Sequence, residues 1–440
     1  MIPFWLQLFI VFASIVIGVR IGAVGIGLAC GFGLSILTFV FHLRPSSPPV
    51  DVMLIITAVV TVGGTLQAAG GLDYLVGIAE KILRRNPNRI TFIGPLVSYV
   101  FTTLAGTAYV SLSVFSVIAE VAFEAKVRPE RPIVMSLIAS KLAITASPMS
   151  AAVVALAAFL APAGVTLGQI ILITIPTGLA ATLVGCLFVY KRGLELEDDP
   201  EFKRRLAAGE ILPPKGFVHK EHSPEAKRSA WLFFAVVAII VIMGTFKSLM
   251  PEWVVNGKIV RLSSTHTMEM LMLSASFFIV LLCKAKPGKI VTGSVFRAGM
   301  VGVICVFGAA WMTDTFFTQH KTLLVGLCSD IVQAYPWAFS LVLACMATII
   351  LSQGATVAAI MPLGIALGIP ALWLVAMLPA VNTVFVFPAT GSLIGAMAFD
   401  QSGTTRIGKF VLNHSFMLPG LVCVVVQLAL SFLLTWLLLM

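Results

Sequence analysis

ITFIGPLVSYVFTTLAGTAYVSLSVFSVIAE, residues 90–120, is a run of 31 mostly apolar residues bounded by basic ones, Arg84, Arg85 and Arg89 before it and Lys126, Arg128 and Arg131 after it. Lys and Arg mark the cytoplasmic ends of membrane segments, so both flanks belong on one face. Two full crossings need about 34 to 40 residues plus a turn, more than this run supplies. A re-entrant helical hairpin is expected instead, broken at LAGTAYVSLS (104–113). Lipid cannot satisfy the N–H and C=O groups of irregular backbone, which survives at membrane depth only where protein buries it or a wet cavity accepts it. The break at Gly106 and Thr107 therefore points to a site.

The rest of the chain agrees with a membrane setting. Of 440 residues, 59% are apolar and 11% charged, against about 25% charged in soluble domains. This excludes disordered, collagenous, disulfide-framed secreted and ordinary cytosolic enzyme classes. The seven cysteines lie mostly inside apolar runs with no C-x-x-C pair, and read as small buried hydrophobes, not metal ligands. Bilayer-length apolar segments predict ten crossings, at about 3–19, 22–43, 52–70, 133–163, 166–190, 229–250, 266–283, 296–313, 371–399 and 414–438. The first is read as an uncleaved helix. With the N-terminus outside and each hairpin entering and leaving by one face, 23 of the 29 Lys and Arg residues fall inside, five outside, and Lys141 within a span. The net charge of +10 thus reports orientation, not nucleic-acid binding.

A second odd stretch, 336–370, is interrupted at LSQGATVAA (351–359), and a long span with a central proline follows each hairpin: ITASPMSAAVV (144–154) and FVFPATGSLIGAM (385–397). Pro87 to Thr107 and Pro336 to Thr356 are both 20 residues apart. The expected fold is all-α: a polytopic membrane protein of ten transmembrane helices and two re-entrant hairpins in an inverted-topology repeat. Residues 1–190 form the first repeat with its cytoplasmic-side hairpin, 191–228 a cytoplasmic linker loop, and 229–440 the second repeat with an outer-side hairpin. Secondary transporters of this plan place substrate near the midplane, where discontinuous helices meet. Proline breaks a helix because it lacks the ladder N–H and its ring crowds the preceding turn. The half-helix N-termini so exposed carry about +0.5 charge each, suited to an anion.

Four polar breaks are expected to converge as a substrate site: Thr107 and Ser111; Thr145, Ser147, Pro148 and Ser150; Ser352, Gln353 and Thr356; Pro388, Thr390 and Ser392. Any one hydroxyl has a second reading, a bond to its own i−4 carbonyl, and the clustering at four related breaks is what favours function. Lys141 lies nine residues after Pro132, about 13 Å along a helix. It either lends positive potential to an anion path or snorkels to the interface. Asp73, Glu120, Glu269 and Asp314 fall near segment ends, so no buried acidic relay is visible. GLDYLVGIAEKILRRNPNR (71–89) reads as an amphipathic interfacial helix.

These segments resemble a known family, the anaerobic C4-dicarboxylate (Dcu) transporters of bacteria. The resemblance is carried by FHLRPSSPPVDVMLII (41–56), GGLDYLVGIAEKILRRNPNRI (70–90), AGTAYVSLSVFSVIAEVA (105–122), RPERP (128–132), ITASPMSAAVV (144–154), FRAGM (296–300) and FDQSGTTRIGKFVLNHSFMLPG (399–420), and it covers essentially the whole chain. It implies uptake or exchange of fumarate, succinate, malate or aspartate across the bacterial inner membrane by a multi-pass, elevator-like carrier, and the basic-residue bias places both termini on the periplasmic side. Thr107 matches the family's G-T hairpin tip, Ser147 to Ser150 its A-S-P-x-S break, and Ser352, Gln353 and Thr356 its second hairpin, with glycine at 354. The chain departs from the pattern at Ala108 and Tyr109, at FPATGS (387–392), and at Lys141, where a neutral amide is more familiar.

The expected partners are a small dicarboxylate anion, membrane lipid, a coupling cation and a second copy of the chain in a homo-oligomer; no cofactor, metal or nucleic acid is expected. A membrane-embedded enzyme is disfavoured, since no H-E-x-x-H, G-x-S-x-G with partners, or paired intramembrane aspartates occur. The alternatives are a cation-coupled uptake carrier for a related organic anion, a transporter with a sensor or regulatory partner docked on 191–228, and a channel.

Overall fold

The computed structural model describes residues 2–21, 24–106, 108, 111–211, 223–245, 249–255, 258–388, 390–407 and 413–439. The first half comprises α1 (Ile2–Ile21), α2 (Gly25–Phe39), α3 (Val50–Ala68), α4 (Gly71–Arg85), α5 (Ile90–Ala105), α6 (Ser111–Glu124), α7 (Glu130–Ile144), α8 (Ala151–Leu160) and α9 (Leu167–Val189). A short α10 (Pro200–Ala207) lies in the linker. The second half comprises α11 (Pro224–Thr245), α12 (Ser264–Cys283), α13 (Pro287–Thr292), α14 (Ser294–Ala334), α15 (Phe339–Ile350), α16 (Gln353–Ala366), α17 (Ala371–Met377), α18 (Gly391–Ala398) and α19 (Met417–Leu439). An antiparallel hairpin of β1 (Glu252–Val255) and β2 (Lys258–Arg261) joins α11 to α12. By length and apolarity α9, α12, α14 and α19 could each cross a bilayer, as could α3 with α4 if that pair, bent by 69°, is one span.

Local chemistry explains several boundaries. Thr166 and Gln169 form a capping box at the start of α9, the Gln169 side chain accepting from the Thr166 N–H at 2.8 Å. In α4, Leu72, Leu75, Ala79 and Leu83 are buried at helical spacing, with Asp73 in the first turn and Arg84 and Arg85 in the last, as the helix dipole favours. Two boundaries differ from those read in the sequence. The segment expected to end at 313 continues to Ala334 within α14: Asp314, Gln319 and His320 lower the hydropathy, but none is a helix breaker and the next proline is Pro336. The second hairpin breaks only at Leu351 and Ser352, not throughout 351–359, because Ser352 caps α16 at once by accepting from the Ala355 N–H at 3.4 Å.

Packing falls into two groups. α1, α2, α3, α11, α12 and α14 pack on one another; α5 to α9 and α15 to α19 form the second group, meeting the first where α14 lies extensively on α16 and α3 on α8, while α4 packs on α3 and α11 of the first and on α5 and α6 of the second. Contact between α2 and α14 is close enough that a Cβ on Gly308 would run into the Gly27 backbone.

One end of the second group is stitched by charge. Arg128, 5% exposed, donates to Asp199 Oδ2 and Glu130 Oε2, both at 2.7 Å, and Arg131 donates to the carbonyls of Arg192 (2.9 Å) and Gly193 (3.2 Å). Burial opposes the Asp199 charge, but the Arg128 guanidinium and the N–H groups of Phe202 and Glu201 outweigh it and hold the carboxyl below its ordinary value. The Glu130 N–H donates to Thr404 Oγ1 at 3.2 Å, and Ser415 Oγ donates to Glu130 Oε1 at 2.5 Å. Asp400 folds this loop by accepting from Ser402, from Thr404 Oγ1 (2.9 Å) and from the Thr405 N–H (2.6 Å). The start of α7, the linker and the loop after α18 therefore share one face.

Candidate functional site

Two helix–break–helix hairpins and two interrupted helices supply the site. In the first hairpin α5 ends on Gly106 at φ +70°, a left-handed conformation that only glycine adopts without strain. Thr102 and Ser111 bond across its two arms at 2.7 Å. A Cβ on Gly106 would lie 2.8 Å from the Met149 carbonyl carbon and oxygen, so this tip rests on the break between α7 and α8. Thr107 lies outside the described residues.

That break runs from Thr145 to Ser150. Ser147 Oγ accepts from the Met149 N–H at 3.1 Å, turning the chain around Pro148, and Ser150 Oγ caps α8 by accepting from the Val153 N–H at 3.2 Å. The second hairpin comes to the same place: a Cβ on Gly354 would be 3.1 Å from Ala151 Cβ, which puts the capped N-termini of α8 and α16 together. Thr145 Oγ1 donates to the Leu142 carbonyl at 2.8 Å and Thr356 Oγ1 to that of Ser352 at 2.7 Å. Both hydroxyls thus bond their own helix, as the second reading of a membrane hydroxyl anticipated.

A fully buried amide network joins these pieces. Gln353 Nε2 donates to the Lys141 carbonyl at 2.7 Å and to Asn382 Oδ1 at 2.5 Å; Asn382 Nδ2 donates to Thr145 Oγ1 at 3.0 Å and to Gln427 Oε1 at 2.9 Å. Asn382 stands in the 3₁₀ segment Leu378–Phe385 that continues α17, and Gln427 in α19. Both were missed in the sequence, although a lone amide inside an apolar run such as LPAVNTVFVF or LVCVVVQLAL is a usable signal. At the edge of this network Gln427 Nε2 has no acceptor among the described residues. Lys141, which joins the network through its backbone carbonyl, is 6% exposed, and its ammonium has no hydrogen-bond or ion-pair partner among the described residues.

Pro388, Thr390 and Ser392 are buried at the fourth break, where α18 packs on α6 and α7. Neither hydroxyl is bonded to the amide network among the described residues, and Thr390 Oγ1 is unpartnered. At their far ends α8 and α16 line a cavity of about 540 Å³ with α3 and α14, bounded by Pro49, Ala158, Asp314, Phe317, Pro362 and Ala366.

The arrangement suits a small anion: two helix N-termini and spare buried donors around one point, with no carboxylate in the network among the described residues. Comparison with known proteins agrees. A family model described as anaerobic C4-dicarboxylate membrane transporter matches residues 3–439. The chain belongs to the anaerobic C4-dicarboxylate membrane transporter family. Within that family it is 39% identical over 436 residues to the anaerobic C4-dicarboxylate transporter DcuB of Escherichia coli O6:H1, covering 96% of each chain. It is 38% identical over 439 residues to the C4-dicarboxylate transporter DcuA of Helicobacter pylori, covering 98% of each. Among solved structures, MtrF of Neisseria gonorrhoeae superposes with a TM-score of 0.49 at 12% identity, over 91% of this chain and 84% of that one, too loosely to support an argument. A C4-dicarboxylate transporter needs no catalytic residue, and this membrane transporter family is not an enzyme family.

Proposed function

We propose that the chain exchanges C4-dicarboxylates of the fumarate, succinate, malate and aspartate class across the bacterial inner membrane, by an elevator-like movement of the hairpin-bearing group of helices. The observation that carries this reading is the meeting of the α8 and α16 N-termini beside the Lys141–Gln353–Asn382–Gln427 cluster. A dicarboxylate leaving water needs replacement donors for both carboxylates. Each helix N-terminus offers about half a positive charge, while Ser147, Ser150 and Ser352 from one break and one hairpin offer hydroxyls. Ser111, Pro148, Thr356, Pro388, Thr390 and Ser392 complete the set by shaping the tips and breaks. Inverted halves of five crossings and one hairpin each, with the charged linker face inside, agree with the basic-residue bias.

The division of packing into two groups supports rigid-body movement of one against the other. The cavity between α3, α14, α8 and α16 lies at the end of α8 and α16 away from the charged face, and serves as the outer approach to the site. Absence of a carboxylate from the network among the described residues favours exchange over coupling to a cation. Counterflow of labelled succinate into proteoliposomes loaded with unlabelled succinate tests the reading. Saturable uptake is expected; failure with every C4-dicarboxylate overturns it.

A further inference from the structure

We infer that Lys141 makes exchange obligatory, its unpaired ammonium holding back the empty carrier until a bound dicarboxylate offsets the charge of the moving unit. The inference rests on the proposed exchange reading and adds to it the residue that links loading to movement. Lys141 is 6% exposed and stands in the last turn of α7 beside Ile138, Ala139, Leu142 and Ala143, all of them buried. Its ammonium has neither a hydrogen-bond nor an ion-pair partner among the described residues. A charged side chain at membrane depth ordinarily pairs or marks a substrate path, and a buried charge left unpaired is strongly unfavourable.

The charge balance follows from named parts. Lys141 contributes one positive charge to the hairpin-bearing unit, and the N-termini of α8 and α16 about half each, so the empty unit carries about +2. A dicarboxylate at −2 cancels it; a monocarboxylate does not. Re-orientation through an occluded state is then easy for the dianion-loaded carrier and hindered for the empty one, which makes return without substrate slow. The hydrogen bond from Gln353 to the Lys141 carbonyl fixes this stretch of α7 against the second hairpin, so the charge belongs to the unit that carries substrate. Neutralising residue 141 lightens the empty carrier by one charge while both helix ends remain.

The test compares two fluxes of labelled succinate from proteoliposomes at clamped zero potential: efflux into buffer containing succinate and efflux into substrate-free buffer. Wild-type protein, Lys141→Gln, Lys141→Met and Lys141→Arg are reconstituted at full length. The neutral variants are expected to raise the ratio of net efflux to exchange by about tenfold or more, the scale on which a lone membrane-depth charge matters, and Lys141→Arg to keep the wild-type ratio. An unchanged ratio in Lys141→Gln and Lys141→Met overturns the inference. So does loss of both fluxes in both neutral variants, because net movement must survive without the ammonium. Wild-type protein lacking exchange with every C4-dicarboxylate overturns instead the reading on which the inference stands.

Discussion

Gln353 donates its side-chain N–H to the backbone carbonyl of Lys141 at 2.7 Å, across 212 positions of sequence. Lys141 lies in the last turn of α7, where carbonyls lose their i+4 partners. The first residue of α16 therefore completes the end of α7, and the same amide reaches Asn382. Second hairpin, first interrupted helix and second interrupted helix are thus joined through one side chain.

Replacing Gln353 by Ala leaves the Lys141 carbonyl and Asn382 Oδ1 without this donor inside the protein. The expected loss is about 1–3 kcal/mol, read as a lowered melting temperature in detergent, together with reduced succinate counterflow. Gln353→Glu is expected to be worse for transport than Gln353→Ala, since it sets a negative charge in an anion site.

Gly106→Ala meets two obstacles, a left-handed φ of +70° and the Met149 backbone at 2.8 Å. Gly354→Ala meets only the Ala151 side chain, at 3.1 Å. Strain of about 1–3 kcal/mol is expected at Gly106, and less at Gly354. The half-saturation concentration for succinate should rise more in Gly106→Ala than in Gly354→Ala; the opposite order would count against contact of the first hairpin with the α7–α8 break.

Ser150→Ala and Ser352→Ala remove the caps of the two helix ends that meet. Each should destabilise the protein by about 1 kcal/mol. Ser150→Thr and Ser352→Thr, which keep a capping hydroxyl, are expected to preserve most of the stability in thermal melts.

The Arg128–Asp199 pair gives the charged face a pH signature. Asp199 is held below its ordinary 3.8 in the folded protein. A carboxyl so depressed stabilises the fold above the unfolded value, and that contribution is lost as pH falls through the folded value. Asp199→Asn should lower stability at neutral pH by about 1.5–3 kcal/mol, the range for hydrogen bonds to charged groups. It should also flatten the decline between about pH 4 and the folded value, as seen in denaturation curves across pH.

Cysteine placed at Ala158 or Ala366, in a Cys345→Ser background because Cys345 is exposed, probes the cavity between the two groups of helices. Membrane-impermeant thiol reagents are expected to label both positions from the side opposite the linker, and saturating succinate to change the labelling rate. Labelling from the linker side alone would reverse the assigned orientation.

Much of this was legible in sequence because it is local. The ends of α5 at Gly106, of α7 before Pro148 and of the 3₁₀ segment before Pro388 fall at or shortly before residues that disfavour a helix, although Pro95, Pro176 and Pro362 lie inside helices here. The amphipathic α4 follows from apolar spacing alone. The length of α14 was misjudged because hydropathy registers polarity and not helix propensity, and Asn382 and Gln427 were overlooked because an isolated amide gives no motif.

By itself, the sequence determined that this is an apolar, helix-built membrane protein, where its helices break, and through its motifs which family it belongs to. Hydropathy, missing proline N–H groups and basic clusters act within a few residues of where they occur. Only the tertiary structure decided which breaks meet: Gly106 on Met149, Gly354 on Ala151, and Gln353 between Lys141 and Asn382. Contacts across hundreds of residues depend on how whole helices pack, and no local pattern encodes them. Packing likewise decided that Lys141 is buried, with no partner for its ammonium among the described residues.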